Sequence, residues 1–429
     1  MKKENNKRIL FVLDTYLPKP FANAVCAQNL IDEYVNNGFD VDIVCLEQPR
    51  YAMPKNYGGH NIYAVKPNMS LNCFLLSQEK QKEFSGKLYR IFGRILSCGF
   101  KLLFLPLVPL NSFSLPRRYS KCIEKLLMEK QYFGIVSTLS PLEGNLGISR
   151  LRAKGKLNIP WVIFCFDTFV DVKGRLHKNV YSRHYKSPLW YKYLLSKCNG
   201  YLFVESRSDE YDQNDLKKWS SKLAVSDLPM ITIDKKYPVL SVDIDEKAEN
   251  FGYFGSIGGE HYPYSDLLDF FFSLPNDRKR VLHFFIRGAI FKNGDFKREN
   301  DFKKIVIHGY VDQDHMINYM EKMDYLISLK YTDQISAKIF QYISMRKKII
   351  HFSGAENDPN VHYLNKYDNC LLLKPKEMTI SQMINLFELK KWSLQSDKNS
   401  IQKCFEKNDP KYSCKVISSF FDNFYGEQK

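Results

Sequence analysis

The sequence predicts an α/β chain made of two successive doubly wound parallel sheets, and three observations lead there. Short, continuous apolar runs rich in Val, Ile and Phe recur along the chain, each followed by a helical stretch. Parallel strands covered on both faces have that composition, and their alternation with helices builds a doubly wound sheet. The pattern lapses in a polar, irregular stretch (YPVLSVDIDEKAEN) and restarts at about residue 249. With 429 residues and 44% apolar composition, the chain is too long for one ordinary core and apolar enough to bury two.

In the first half the expected strands are RILFVLD (8–14), VDIVCLE (41–47), NIYAV (61–65), GIVSTLS (134–140), WVIFCFD (161–167) and GYLFVES (200–206). In the second half they are NFGYFGS (250–256), VLHFFIRG (281–288), KIVIHGYV (304–311), YLISLKY (325–331), KIIHFSG (348–354) and NCLLLKP (369–375). The first helix is expected over 22–37. Cys26, Leu30, Ile31 and Tyr34 recur there at helical spacing, and Asn37-Gly38 supplies the stop. The expected domains are 1–240 and 249–405, with a C-terminal helix over 406–429. Two such domains present strand C-terminal ends to a shared cleft, where α/β folds bind ligands.

The formal net charge of +16 points to phosphate-bearing partners: nucleic acid, anionic lipid or an anionic small molecule. Ten cysteines include no Cys-x-x-Cys pair and fall mostly in apolar runs, the pattern of buried free thiols in a reducing compartment. The nine histidines show no metal-ligand spacing, so no metal site is expected. The basic N-terminus leads into an apolar run of about seven residues that ends in Asp14. It is too short for a signal peptide and reads as a first buried strand, so a cytoplasmic-side protein is expected.

Residues 86–110 (GKLYRIFGRILSCGFKLLFLPLVPL) form the most apolar stretch, interrupted by Arg94 and Lys101 and broken by Pro106 and Pro109. A membrane span needs about 20 mostly apolar residues without such breaks. At about 100° per residue, Lys87, Arg90, Arg94 and Lys101 share one stripe, while Leu88, Ile91, Phe92, Ile95, Leu102 and Leu103 point elsewhere. An in-plane helix on an anionic membrane has this profile; a core helix with a solvated basic edge shares it.

Phosphate chemistry is expected where a strand ends and a helix begins. In YTDQISAKIFQYISMRKKIIHF (331–352) a strand ends near Tyr331 and a helix starts around Ser336, with Ile339, Phe340 and Ile343 as its apolar face. Free N–H groups and the helix dipole attract anions there. Lys338 sits in the first turn, where a cation is unfavourable unless an anion joins it. A second candidate is Gly255, Ser256, Ile257 and Gly258, directly after a strand. The chain has neither a G-x-G-x-x-G fingerprint in dinucleotide context nor a G-x-x-x-x-G-K-[ST] loop. In the first half, a Pro-containing loop feeds a helix start at Phe21, Ala22 and Asn23, whose small residues leave room for a ligand.

The order of these pieces resembles the GT-B glycosyltransferases, in particular the large retaining family 4 of bacterial capsule, exopolysaccharide and O-antigen synthesis. RILFVLDTYLPKPFANAVCAQNLIDEYVNNGFDVDIVC is similar to the family's opening strand, acceptor loop, helix and second strand. GYFGSIGG is similar to the start of its donor domain. IVIHGYVDQDHMINYMEKMDYLISL is similar to the segment passing the nucleotide base. SAKIFQYISMRKKII is similar to its P-S-K-x-x-E-Y-M-A-x-G-K-P-I-I element, the most specific match, and KYSCKVISSFFDNFY (411–425) to the helix that returns to the first domain.

The resemblance implies two Rossmann-like domains facing a cleft. It implies a donor diphosphate at Ser336 and Lys338, a ribose at Gln341 and a base beside Gly309 and Tyr310. Asp333 and Gln341 occupy the positions of the family's paired glutamates. Ser256 stands where the donor loop carries Arg, and Arg287 is the nearest substitute by position. Asp167 is expected to orient the acceptor. The implied reaction needs no metal or resident cofactor: it moves a sugar from a UDP- or GDP-linked donor to a lipid-linked or saccharide acceptor, on the inner face of the plasma membrane. A non-catalytic donor-binding or scaffold subunit is the alternative. A nucleic-acid partner is not expected, because the basic residues lack the aromatic alternation of a base-stacking surface.

Overall fold

A computed structural model describes residues 7–16, 22–48, 55–80, 83–103, 112–140, 142–166, 187–205, 216–255, 257, 264–286, 295–309, 311–330, 335–393 and 396–427. The chain divides into two compact units, residues 1–229 with 410–429, and residues 230–409.

The first unit runs β1 (Arg8–Thr15), α1 (Ala22–Asn36), β2 (Asp40–Leu46), β3 (Asn56–Tyr57), β4 (His60–Val65), α2 (Met69–Glu79), α3 (Phe84–Leu103), α4 (Ser114–Glu129), β5 (Gly134–Thr138), α5 (Leu142–Ala153), β6 (Trp161–Cys165), α6 (Ser187–Lys197), β7 (Gly200–Val204) and β8 (Leu223–Ser226). Its sheet has the order β3-β4-β2-β1-β5-β6-β7-β8, parallel except for the β3–β4 hairpin. Every residue of β5, β6 and β7 is buried, which is why those strands read as unbroken apolar runs. The sheet reverses direction of growth between β1 and β5. Strand β8 and helix α2 were not anticipated. The first is four residues long and mostly half-buried, and the second has almost no apolar periodicity.

Asp42, within β2, is a structural anchor. Its carboxylate accepts from Lys130 Nζ at 2.8 Å, Tyr132 Oη at 2.6 Å and Asn61 Nδ2 at 2.7 Å. Burial alone would raise its pKa; the hydrogen bonds from Lys130, Tyr132 and Asn61 outweigh burial and hold it below the usual carboxylate value.

The second unit runs β9 (Glu249–Phe254), α7 (Ser265–Ser273), β10 (Arg280–Phe285), β11 (Lys303–Ile307), α8 (Gln313–Lys322), β12 (Tyr325–Lys330), α9 (Ala337–Ser344), β13 (Lys348–Ser353), α10 (Pro359–Leu364), β14 (Cys370–Leu373), α11 (Ile380–Leu389) and α12 (Lys398–Cys404). Its sheet is wholly parallel with the order β11-β10-β9-β12-β13-β14. The direction of growth reverses between β9 and β12. In open α/β sheets, ligands bind at the strand C-terminal ends beside such a reversal. The segment before β9 is tied to this unit, since Asn318 donates to Pro238 O and accepts from Leu240 N.

The last helix, α13 (Pro410–Gly426), belongs to the first unit and packs on α1 and on β6, β7 and β8. Phe421 and Phe420 lie over the glycines that open β5 and β7. A Cβ at Gly134 would come within 2.5 Å of Phe421, and one at Gly200 equally near Phe420. Glycine at those two strand ends is what lets the helix seat.

Candidate functional site

The reversal between β9 and β12 assembles the residues that the sequence singled out most sharply. Helix α9 follows β12 and buries Ile339, Phe340 and Ile343 on its apolar face. Lys338, in its first turn, does not point to solvent. Its Nζ donates to the carbonyl of Phe254, at the end of β9, at 2.5 Å. Gly255 comes next with φ +145°, and a Cβ there would run into Lys338 Nζ. This glycine therefore meets two demands at once, a left-handed backbone and room for the ammonium group.

Burial pushes the Lys338 amine down to about 8, and the charge of Lys330 adds to the effect. Lys330 ends β12 and is itself buried. Two lysines are thus brought together at a helix N-terminus, whose dipole further disfavours positive charge. An anion between them would reverse all three penalties. Lys330 escaped the sequence reading; its signal was a charged residue closing an otherwise apolar strand.

Ser336 is the N-cap of α9, but its hydroxyl makes no capping hydrogen bond. Its backbone N–H instead donates to Asn360 Oδ1 at 2.7 Å. Gln341 lies half-buried one turn further on. Ile257 is buried in the core of this unit with Phe251, Tyr253 and Ile286, so its side chain faces inward. Gly309 follows β11 with φ +71° and open space around its α-carbon.

Beside Gly309 is a group the sequence did not disclose. Phe254, Phe285 and His308 stack across β9, β10 and the end of β11. Their centroids are 4.3 and 4.2 Å apart and their planes nearly parallel. His283 Nδ1 lies 2.8 Å from His308 Nε2, and its Nε2 lies 2.9 Å from Asn250 Oδ1. Burial, then the neighbouring His308, lowers His283 to about 4, and burial lowers His308 as well. Both rings are therefore neutral at pH 7. Strand pairing creates this column, because the rings come from residues at least 23 positions apart.

Asp167, Asp333, Ser256, Gly258, Arg287, Tyr310 and Phe21 lie outside the described residues. Ala22 is the first residue of α1, and Asn23 is half-buried beside it.

A second candidate surface is α3. It packs against α2 through Gly93, where a Cβ would meet Cys73 at 3.1 Å. Leu88, Ile91 and Ile95 are 53–62% exposed and Phe84 is 76% exposed, so the apolar face points into solvent. Lys87, Arg90 and Arg94 are exposed alongside; Lys101 lies in the helix, its side chain outside the description. This rules out a core helix with a solvated basic edge. Among the described residues, no helix is long and apolar enough to cross a membrane.

No family model and no curated protein matches this chain. Solved structures do. Sucrose-phosphate synthase from Thermosynechococcus elongatus superposes with a TM-score of 0.58 at 10% identity, over 98% of this chain and 100% of that one. The E. coli trehalose-6-phosphate structure bound with UDP-2-fluoro glucose gives 0.54 at 11%, over 97% and 99%. UDP-GlcNAc 2-epimerase from Methanocaldococcus jannaschii gives 0.54 at 10%, over 96% and 99%. This chain has the GT-B fold. Two parallel-sheet units and a C-terminal helix that joins the first are its parts here.

Proposed function

We propose that this protein is a glycosyltransferase that takes a sugar from a UDP- or GDP-linked donor and passes it to a lipid-linked or saccharide acceptor of cell-surface polysaccharide. The observation that carries the reading is Lys338, turned inward at a helix N-terminus to the end of β9 and against the glycine that follows it. The donor diphosphate lies there, held by Lys338, the first N–H groups of α9 and the Ser336 hydroxyl. Gln341 meets the ribose, and the base lies beside Gly309 and Tyr310. Gly255, Ser256, Gly258 and the backbone of Ile257 border the diphosphate, and Arg287 supplies a further cation.

In the reaction the bond from the anomeric carbon to the diphosphate oxygen breaks, and the nucleoside diphosphate leaves with the bonding pair. Lys338 and the helix N–H groups stabilise the charge that develops on that oxygen. An acceptor hydroxyl, oriented by Asp167, forms the new glycosidic bond and passes its proton to the departing diphosphate oxygen. Asp333 supports the reacting centre from the position of the family's first glutamate. Retention of configuration and metal independence are carried over from the family resemblance.

We further propose that α3 holds the protein on an anionic membrane at the cytoplasmic face, its exposed apolar residues in the interface and Lys87, Arg90 and Arg94 on the headgroups. A donor-binding subunit without turnover is the second reading, favoured by Gln341 at a glutamate position. Formation of glycoside and free nucleoside diphosphate from UDP- or GDP-sugars, dependent on added acceptor, tests the first reading. Donor binding with no turnover for any acceptor would leave the second. Gln341→Ala is expected to weaken donor binding, and Asp333→Ala to slow turnover. If neither variant changes affinity or rate, the assigned roles are wrong.

A further inference from the structure

A buried chain of hydrogen bonds runs behind the start of α9 and has no part in the chemistry described so far. Asp358, the N-cap of α10, accepts from Asn360 Nδ2 at 2.6 Å and from Asn360 N at 2.9 Å through Oδ1. Its Oδ2 accepts from His351 Nε2 at 2.8 Å, and His351 Nδ1 meets Ser328 Oγ at 2.9 Å. Ser328, His351, Asp358 and Asn360 are all more than nine-tenths buried. The chain therefore joins β12, β13 and α10 behind the loop that enters α9.

The polarity of this chain follows from chemistry. The hydrogen bonds from His351 and Asn360 hold Asp358 below the usual carboxylate value against burial, so it is an anion that only accepts. The carboxylate then compels Asn360 to turn its NH₂ toward Asp358. The amide oxygen is left facing the other way, where it accepts from Ser336 N–H at 2.7 Å. A flipped amide would set two acceptors against each other at one end and two donors at the other.

The consequence appears at Ser336. An N-cap serine ordinarily spends its hydroxyl on the N–H groups of its own helix, which fixes the entry of the chain. Here Asn360 fixes the entry from outside, and the Ser336 hydroxyl makes no capping bond. We infer that Asn360, oriented by Asp358 and His351, is a positioning residue that holds the first turn of α9 so that the Ser336 hydroxyl and the Lys338 backbone N–H stay available to the donor diphosphate. This rests on the donor reading above. The Asp358 charge sits behind the site, and its three hydrogen bonds keep it engaged away from the anion.

The test is calorimetric titration of the full chain with UDP, GDP, uridine and guanosine. Removing one neutral hydrogen bond of this kind is worth roughly a three- to tenfold change. Asn360→Ala is expected to weaken the diphosphate by that factor and to leave the matching nucleoside unchanged. The same substitution in a Lys338→Met background is expected to lose most of its effect on the diphosphate, because both residues act on one helix turn. Its effect on melting temperature is expected to be the same in both backgrounds. If Asn360→Ala does not fold, Asp358→Asn takes its place, since a neutral partner no longer dictates the amide orientation. Equal losses for diphosphate and nucleoside, or a lower melting temperature with unchanged affinity, would overturn the inference. If neither diphosphate binds the wild-type protein, the donor reading itself fails, an outcome distinct from the others.

Discussion

Helices α3 and α9 look alike in sequence and do opposite things. Each carries apolar residues on one face and basic residues close by. In α9 the apolar face is buried, and the lysine of its first turn runs inward to the end of a neighbouring strand. In α3 the buried side is lined by glycine, and the apolar side is what solvent meets. Amphipathic spacing states that a helix has an apolar face; it does not state what covers it. One helix covers that face and turns its first-turn lysine inward to the end of β9. The other leaves it exposed.

That contrast can be broken from either side, and the largest effect is expected at α3. Replacing Lys87, Arg90 and Arg94 with Glu should weaken binding to anionic vesicles at least a hundredfold, since each basic residue near such a surface is worth about 1 kcal/mol. All three are exposed, so the melting temperature should barely move. Equal sedimentation with vesicles before and after would show that α3 faces something other than lipid.

At α9 the same removal of charge should act on a small ligand. Lys338→Met is expected to cost roughly 1.5–3 kcal/mol of nucleoside diphosphate binding, about tenfold to a hundredfold, with little loss for the bare nucleoside. Stability without ligand should rise, because a buried cation leaves a helix N-terminus. Unchanged affinity in a titration would remove Lys338 from the site.

Gly255→Ala should reproduce part of that loss while keeping the charge. The new Cβ would occupy the place of Lys338 Nζ and force a left-handed backbone on alanine. A cost of about 1–3 kcal/mol in stability is expected from the backbone alone, with a displaced amine and weaker diphosphate binding. Wild-type affinity in this variant would mean that Lys338 reaches the anion from elsewhere.

The smallest effect is a pH dependence that α9 should show and α3 should not. Lys338 has its amine pushed down to about 8 from an unfolded value of 10.5. Between those values the unfolded chain binds more protons than the folded one, so this lysine makes stability rise as pH increases from about 8. Diphosphate affinity should move oppositely and fall above pH 8, by up to about tenfold per unit, as the amine loses its proton. Lys338→Met should flatten both profiles; a melting curve and a titration at pH 7 and 9 check them.

Much of this was legible in the chain. Buried parallel strands announce themselves as unbroken apolar runs, so the alternation of strands and helices and the restart near residue 249 could be read directly. A lysine set just after a strand and just inside a helix was visible as an electrostatic oddity. Those features are local, because each depends on residues within one turn or one strand of each other.

Only the tertiary structure decided the rest. The ring column of Phe254, Phe285 and His308 exists because three strands stand side by side. The hydrogen bond from Ser336 to Asn360 spans 24 positions, and Gly255 meets Lys338 across the reversal between β9 and β12. The outward turn of α3 follows from a glycine seat on α2 that no periodicity could signal. Side-chain spacing is set by the backbone's own repeat, so sequence determines it alone. The choice of partner is a competition among distant surfaces, and folding settles it.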